Sequence, residues 1–153
     1  MTASNSSSGV RSMAEPASGA RHALRGLRIM VVDDVEDARD MIGEILTMSG
    51  AEVVSVASVR EAMQCIEEQP PHAIITDISM PQEDGYAFIR ALRKLTPDKG
   101  GTIPVVALTA HASQAVTERI LSAGFQLHLA KPVDLLALPS QVIGLIAGNH
   151  AQT

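Results

Sequence analysis

Arg28-Ile29-Met30-Val31-Val32-Asp33-Asp34 is the stretch on which the fold turns. Four consecutive apolar residues end abruptly in two acids, with no polar residue alternating between them. Such a run needs cover on both faces, as a strand inside a parallel sheet has. The apolar period then changes: Ala38, Met41, Ile42, Ile45 and Leu46 recur at helical spacing, predicting an amphipathic helix over 35–49 that Gly50 is placed to stop.

Outward from this first unit the same alternation repeats. Val53, Val54 and Val56 predict a second strand, and Ser58 to Gln69 a helix with Ser58 as its N-cap and Pro70-Pro71 beyond its end. Ala73 to Thr76 reads as the third strand. Asp84 precedes a helical pattern of Phe88, Ile89, Leu92 and Leu95 that stops before Pro97. Ile103 to Leu108 reads as a fourth strand, Ser113 to Ala123 as a helix closed by Gly124, and Phe125 to Ala130 as a fifth strand. A last helix spans Leu135 to Ala147, its start blurred by Pro139. Five such units predict an α/β fold: a five-stranded parallel sheet in three layers, joined by right-handed helical crossovers.

The 153 residues suit one domain, and 46% hydrophobic against 19% charged residues suffices for an aliphatic core. Positions 1–20 include six serines and no aromatic residue, so 1–26 read as a flexible tail or linker, 27–147 as the folded domain and 148–153 as a short second tail. The net charge is -5; because 1–26 hold three arginines and one glutamate, or +2, the remainder carries -7. That balance argues against a nucleic-acid partner, which needs a surplus of Lys and Arg. The single cysteine, Cys65, excludes an internal disulfide and fits a small core residue in a reducing compartment. With no apolar run of ~18 residues and no secretory h-region, a membrane span and export are not expected, and the chain reads as cytoplasmic.

In doubly wound sheets ligands bind beyond the carboxyl ends of the strands, which makes Asp33, Asp34, Asp77, Thr109 and Lys131 the candidates for chemistry. Taken singly each has a plain explanation: Asp33 or Asp34 as a helix cap, Asp77 as a turn residue, Lys131 as a lysine snorkelling to solvent. Together they fit a reaction. Carboxylates gathered at one edge repel unless a cation neutralises them, and Mg²⁺ takes a few carboxylate oxygens and keeps its remaining positions for water and phosphate. An Asp nucleophile beside such an ion, with Thr and Lys to receive moving charge, can take up a phosphoryl group as an acyl phosphate.

The chain resembles the receiver domain of two-component response regulators over about 27–147, closest in style to the receivers of hybrid histidine kinases. Four motifs carry the likeness: the 29–34 run with its acidic pair; Asp77-Ile78-Ser79-Met80-Pro81-Gln82-Glu83-Asp84-Gly85; Ala107-Leu108-Thr109-Ala110-His111; and Ala130-Lys131-Pro132. Spacings of 43 from Asp34 to Asp77, 32 to Thr109 and 22 to Lys131 agree with it. The resemblance implies a flavodoxin-like (βα)5 fold and phosphorylation at Asp77. It implies Mg²⁺, with Mn²⁺ as a substitute, on Asp33, Asp34, Asp77 and the Ser79 backbone carbonyl. Thr109 and Lys131 would hold the phosphoryl oxygens, and the Lys131-Pro132 peptide would be cis. His128 stands where the family often has Tyr or Phe, three residues before the lysine. Thr109 and His128 would therefore form the switch, with a half-exposed strand histidine as the plain alternative. His111 would modulate phosphate lifetime, and Gly85 would supply backbone freedom.

The implied partners are a sensor or hybrid histidine kinase or a histidine phosphotransfer protein, and a downstream protein met through the helix-four, strand-five, helix-five face; a homodimer stays open. The chain would catalyse only its own phosphorylation and dephosphorylation. With few residues after the last helix it reads as a stand-alone receiver, a fragment of a hybrid kinase being the alternative. An aspartate-nucleophile phosphatase would place its second Asp two positions after the first, where this chain has Val35 after the adjacent pair.

Overall fold

The apolar run forms β1 (Arg28–Val32), and the unit it opens recurs through α1 (Glu36–Met48), β2 (Glu52–Val56), α2 (Val59–Glu68), β3 (Ala73–Asp77), α3 (Gly85–Arg93), β4 (Val105–Thr109), α4 (Gln114–Ala123), β5 (Leu127–Ala130) and α5 (Leu138–Ala151). The computed structural model describes residues 23–78, 85–110 and 113–151. The expectations for Ser79, Met80, Pro81, Asp84 and His111, and for the tail before residue 23, lie outside them.

All strand pairs are parallel, in the order β2-β1-β3-β4-β5. Residues alternate between two cores. Met30, Val32, Ile74, Val105 and Ala107 face α2, α3 and α4, where Ala62, Ile66, Phe88 and Ile120 meet them. Ile29, Val31, Ile75, Val106 and Leu108 face α1 and α5, where Ile42, Leu46, Leu138, Val142 and Ile146 pack. The five-stranded, doubly wound sheet is as expected, because a strand covered on both sides has no polar face to show. Chain order reverses between β1 and β3, so the carboxyl ends of those two strands flank the crevice of the sheet.

Local chemistry sets most boundaries. Ser58 Oγ accepts the Glu61 amide at 3.1 Å while Glu61 Oε1 accepts the Ala57 amide at 2.9 Å, a reciprocal cap. Ser113 Oγ accepts the Val116 amide at 3.2 Å, and Gly124 ends α4 with φ 116°. β4 starts at Val105, later than Ile103, because Pro104 has no N–H to donate to the ladder.

Three expectations are corrected. The last helix begins at Leu138, not Leu135, and runs to Ala151 rather than 147. Residues 135–137 are a turn, in which Asp134 Oδ1 accepts the Leu136 and Ala137 amides, and Pro139 falls in the first helical turn, where a missing N–H costs nothing. The packed unit also starts before residue 27: Leu24 is fully buried and its amide donates to the Ser49 carbonyl at 3.0 Å. Gly85 is required for space, not for backbone freedom, since a Cβ there would stand 2.8 Å from Ile78 Cα and its φ is not positive.

Two side-chain assemblies tie the α3 layer together. Tyr86 meets Phe125 edge-on at 6.1 Å, and the Arg119 guanidinium from α4 lies 4.0 Å over the Tyr86 ring. Arg93, half-buried at the end of α3, donates to the carbonyls of Gly124 (2.8 Å), Ile103 (2.8 Å) and Gly101 (3.1 Å) and to Gln126 Oε1 (2.8 Å). Gln126 Oε1 in turn accepts the Val105 amide at 2.7 Å. Burial pulls the guanidinium below its ordinary pKa, and these carbonyls take up its donors.

Candidate functional site

The strand ends meet as the spacing predicted. Register pairs Asp77 with Leu108 and Thr109 with Ala130, and the Lys131 amide donates to the Thr109 carbonyl at 2.8 Å. β1, β3, β4 and β5 thus bring Asp33, Asp34, Asp77, Thr109 and Lys131 to one edge. One carboxylate oxygen from each of Asp33, Asp34 and Asp77 lies within 4.8 Å of the others. Lys131 Nζ stands 3.1 Å from Asp77 Oδ2. Asp33, Asp77 and Thr109 are buried, Asp34 is exposed, and the Lys131-Pro132 peptide is cis.

The two oxygens of Asp33 have different tasks. Oδ1 accepts the Val35 amide at 2.9 Å, so the helix-cap explanation holds in part, although the bond shapes the loop before α1 rather than its first turn. Oδ2 is buried and has no hydrogen-bond partner among the described residues. A buried carboxylate oxygen left this way is costly, and a hard cation shared with Asp34 and Asp77 would satisfy it. The all-oxygen donor set fits a divalent ion of the Mg²⁺ type.

Electrostatics agree with this. Burial raises the Asp33 carboxyl above its ordinary 3.8; the Val35 amide opposes the shift, Asp77 adds to it, Lys131 lowers it and Asp34 raises it. The folded chain therefore favours protonated Asp33. Its contribution to stability is fully present below pH 3.8 and is lost as pH rises through the raised folded value. In chelator, Asp33→Asn is expected to gain stability relative to wild type as pH rises through that window. Added Mg²⁺ should reverse the order at neutral pH, giving wild type ~2.7 kcal/mol at a hundredfold excess over its dissociation constant. Urea midpoints across pH, with and without Mg²⁺, check both signs.

His128 lies in β5 opposite Ala107, on the α4 side of the sheet, half-buried, and its Nδ1 is buried with no hydrogen-bond partner among the described residues. Two features were not read from the sequence. Arg39 Nη1 donates to the Asp33 carbonyl at 2.7 Å and fixes the acidic loop from the first turns of α1. A cavity of about 210 Å³ opens beside the site between Asp33, Ala38, Met41, Leu108, Lys131 and Val133. Met41, 56% exposed where the helical pattern called for core, was its one sequence trace.

The family model for the response regulator receiver domain matches residues 29–143. The chain belongs to the response regulator receiver domain family. Receiver domains are signalling modules of two-component and phosphorelay systems. Among relatives, this receiver is 36% identical over 137 residues to hybrid signal transduction histidine kinase D of Dictyostelium discoideum, matching 85% of this chain and 9% of the kinase. It is 36% identical to the transcriptional regulatory protein PrrA of Mycobacterium tuberculosis, over 78% of this chain and 49% of that protein. The chain thus spans half or less of these two relatives. Among solved structures, the signal receiver domain of a histidine kinase from Syntrophus aciditrophicus superposes with a TM-score of 0.72 at 32% identity, covering 80% of this chain and 92% of that one. A CheY-like receiver from Methanospirillum hungatei gives 0.74 at 25% identity, covering 85% and 99%. Among the described residues no helix is long and apolar enough to cross a membrane.

Proposed function

We propose that this receiver takes a phosphoryl group onto Asp77 from a phosphohistidine of a sensor or hybrid histidine kinase, or of a histidine phosphotransfer protein, in a Mg²⁺-dependent reaction. The observation that carries the reading is the ammonium of Lys131 3.1 Å from Asp77 Oδ2, in a cluster with two further carboxylates. An Asp77 oxygen attacks phosphorus, the P–N bond of the donor breaks, and the departing imidazole takes up a proton. The product is an acyl phosphate. Asp33, Asp34, Asp77 and the Ser79 carbonyl would hold Mg²⁺ or Mn²⁺, which when bound supplies the positive charge that lets an anionic donor approach three carboxylates. Lys131 and the Thr109 hydroxyl would hold the phosphoryl oxygens, as an ion pair and a hydrogen bond. The chain acts on its own side chain and turns over no separate substrate.

Thr109 ends β4 and leads into the segment before α4, so a pull on its hydroxyl would bias the α4, β5, α5 face toward a downstream partner. His128, on that side of the sheet, would move with it. A second reading, a receiver that belongs to a hybrid histidine kinase, is favoured by the likeness to the Dictyostelium and Syntrophus proteins.

The test is incubation with acetyl phosphate and Mg²⁺ at neutral pH, read by intact mass. An acid-stable, base-labile phosphoryl adduct that disappears with chelator is expected, and its absence would overturn the proposal. Lys131→Ala should keep Mg²⁺ binding but weaken phosphorylation-dependent partner binding by on the order of tenfold, as for loss of a charge-assisted hydrogen bond of ~1.5–3 kcal/mol. Unchanged phosphorylation-dependent binding would remove Lys131 from its role.

A further inference from the structure

We propose that the cavity between α1 and the segment after β5 receives the aliphatic part of a small-molecule phosphoryl donor, so that short-chain acyl phosphates charge Asp77 directly and butyryl phosphate does so faster than acetyl phosphate. This rests on Asp77 as the phosphoacceptor. The cavity and the acidic cluster occupy one side of the sheet. Side chains alternate along a strand, and Val31, Ile75 and Leu129 pack toward α1 and α5. Asp33, Asp77 and Lys131, each two residues further on, have the same parity. Leu108, the register partner of Asp77, stands in the cavity wall.

The two ends of the cavity differ in chemistry. Asp33 and Lys131 are its charged wall residues among those described, and Lys131 Nζ is 3.1 Å from Asp77 Oδ2, so this end is continuous with the phosphoacceptor. The rest of the described wall is apolar, with Ala38, Met41, Leu108 and Val133 in it. Its volume of about 210 Å³ exceeds the ~150 Å³ of an engineered apolar cavity that stays dry and binds benzene, so a four-carbon chain fits. Met41, 56% exposed, is the adjustable part of the wall, because an unbranched thioether turns aside at little cost.

Charge and polarity together select the occupant. An organic cation would meet the Lys131 ammonium, and a neutral apolar molecule would leave that end unmatched. An anion carrying a short aliphatic chain matches both ends. An acyl phosphate adds a reactive bond between them. An Asp77 oxygen attacks phosphorus, the bond from phosphorus to the acyl oxygen breaks, and its electron pair leaves with the acyl group as a carboxylate. The products are aspartyl phosphate and a short-chain carboxylate, with no proton taken up or released. Each methylene that passes from water into the cavity in the transition state is worth roughly a three- to fourfold gain in the second-order rate constant.

The test compares acetyl and butyryl phosphate as donors to the full 153-residue chain with Mg²⁺, by intact mass against time. Butyryl phosphate is expected to charge wild type about tenfold faster. Ala38→Leu, which places an isobutyl group in the cavity and keeps a strong helix former in α1, should bring the ratio to about one. Met41→Ala, which widens the cavity from an exposed position, should shift the optimum to hexanoyl phosphate, and it carries the test alone if Ala38→Leu does not fold. A second readout needs no phosphoryl transfer: with Mg²⁺, butyrate should shift the Met41 and Val133 methyl resonances more than acetate does at the same concentration. Equal rates for the two donors in wild type, as for a cavity that serves only a partner's side chain, overturn the inference and leave Asp77 as phosphoacceptor. A preference that survives Ala38→Leu, an optimum unmoved in Met41→Ala, or methyl resonances indifferent to butyrate also overturns it. Failure of both donors to charge wild type overturns the reading of Asp77 and this inference with it.

Discussion

Asp77→Ala and Asp77→Asn are expected to lose phosphoryl uptake from acetyl phosphate altogether while remaining folded. The nucleophile is a single carboxylate oxygen, and neither a methyl nor a neutral amide can replace it. The fold survives because two local terms move favourably or little. Asp33, whose carboxyl is pushed up in part by the Asp77 charge, is relieved of that repulsion. Lys131 loses its partner, but its side chain is 35% exposed and reaches water without leaving a buried charge alone. Intact mass before and after donor, with urea midpoints in chelator, measures both halves. An alanine variant charged at the wild-type rate would move the nucleophile elsewhere, and a variant that does not fold would mean that the Asp77–Lys131 pair is structural.

The largest effect on stability is expected at Arg93. Its guanidinium collects three carbonyls and Gln126 Oε1, tying the end of α3 to the cap of α4 and to the entries of β4 and β5. Arg93→Met keeps much of the stem but leaves those acceptors without their donor in a half-buried place. Hydrogen bonds to a charged group contribute ~1.5–3 kcal/mol each and are not additive within one network, so a loss of about 2–4 kcal/mol is expected. For a chain of this length that is a fall in Tm of roughly 5–15 °C. Arg93→Lys should recover only part of it, because a single ammonium cannot present the planar fork. Thermal melts decide the matter: a fall under about 2 °C for Arg93→Met would show that water replaces the network.

The strands were legible in the chain because they are covered on both faces, which leaves runs such as Ile29 to Val32 with one simple reading. The candidate site was legible because parallel strands all point their carboxyl ends one way, so each residue that closes an apolar run arrives at the same edge. Elements decided by a particular loop hydrogen bond or by a distant contact were not. Pro139 fits the first turn of a helix or a break before it, and only the Asp134 turn selects the former. Gly85 gave no sign that Ile78 would stand against it. Arg93 speaks to backbone carbonyls, which every residue has, so no pairing pattern marks it. Leu24 looked like part of a tail because the core it joins, and the Ser49 carbonyl that its amide meets, are supplied by residues farther along the chain.

The candidate site draws on residues 33, 77, 109 and 131, from the ends of β1, β3, β4 and β5, the last of which closes one side of the sheet. A ribosome-bound chain halted after β4, or one whose last strand has peeled away, holds the carboxylates but lacks the lysine. The cation 3.1 Å from Asp77, and with it the proposed link from phosphorylation to partner binding, therefore arrives only with completion of the sheet.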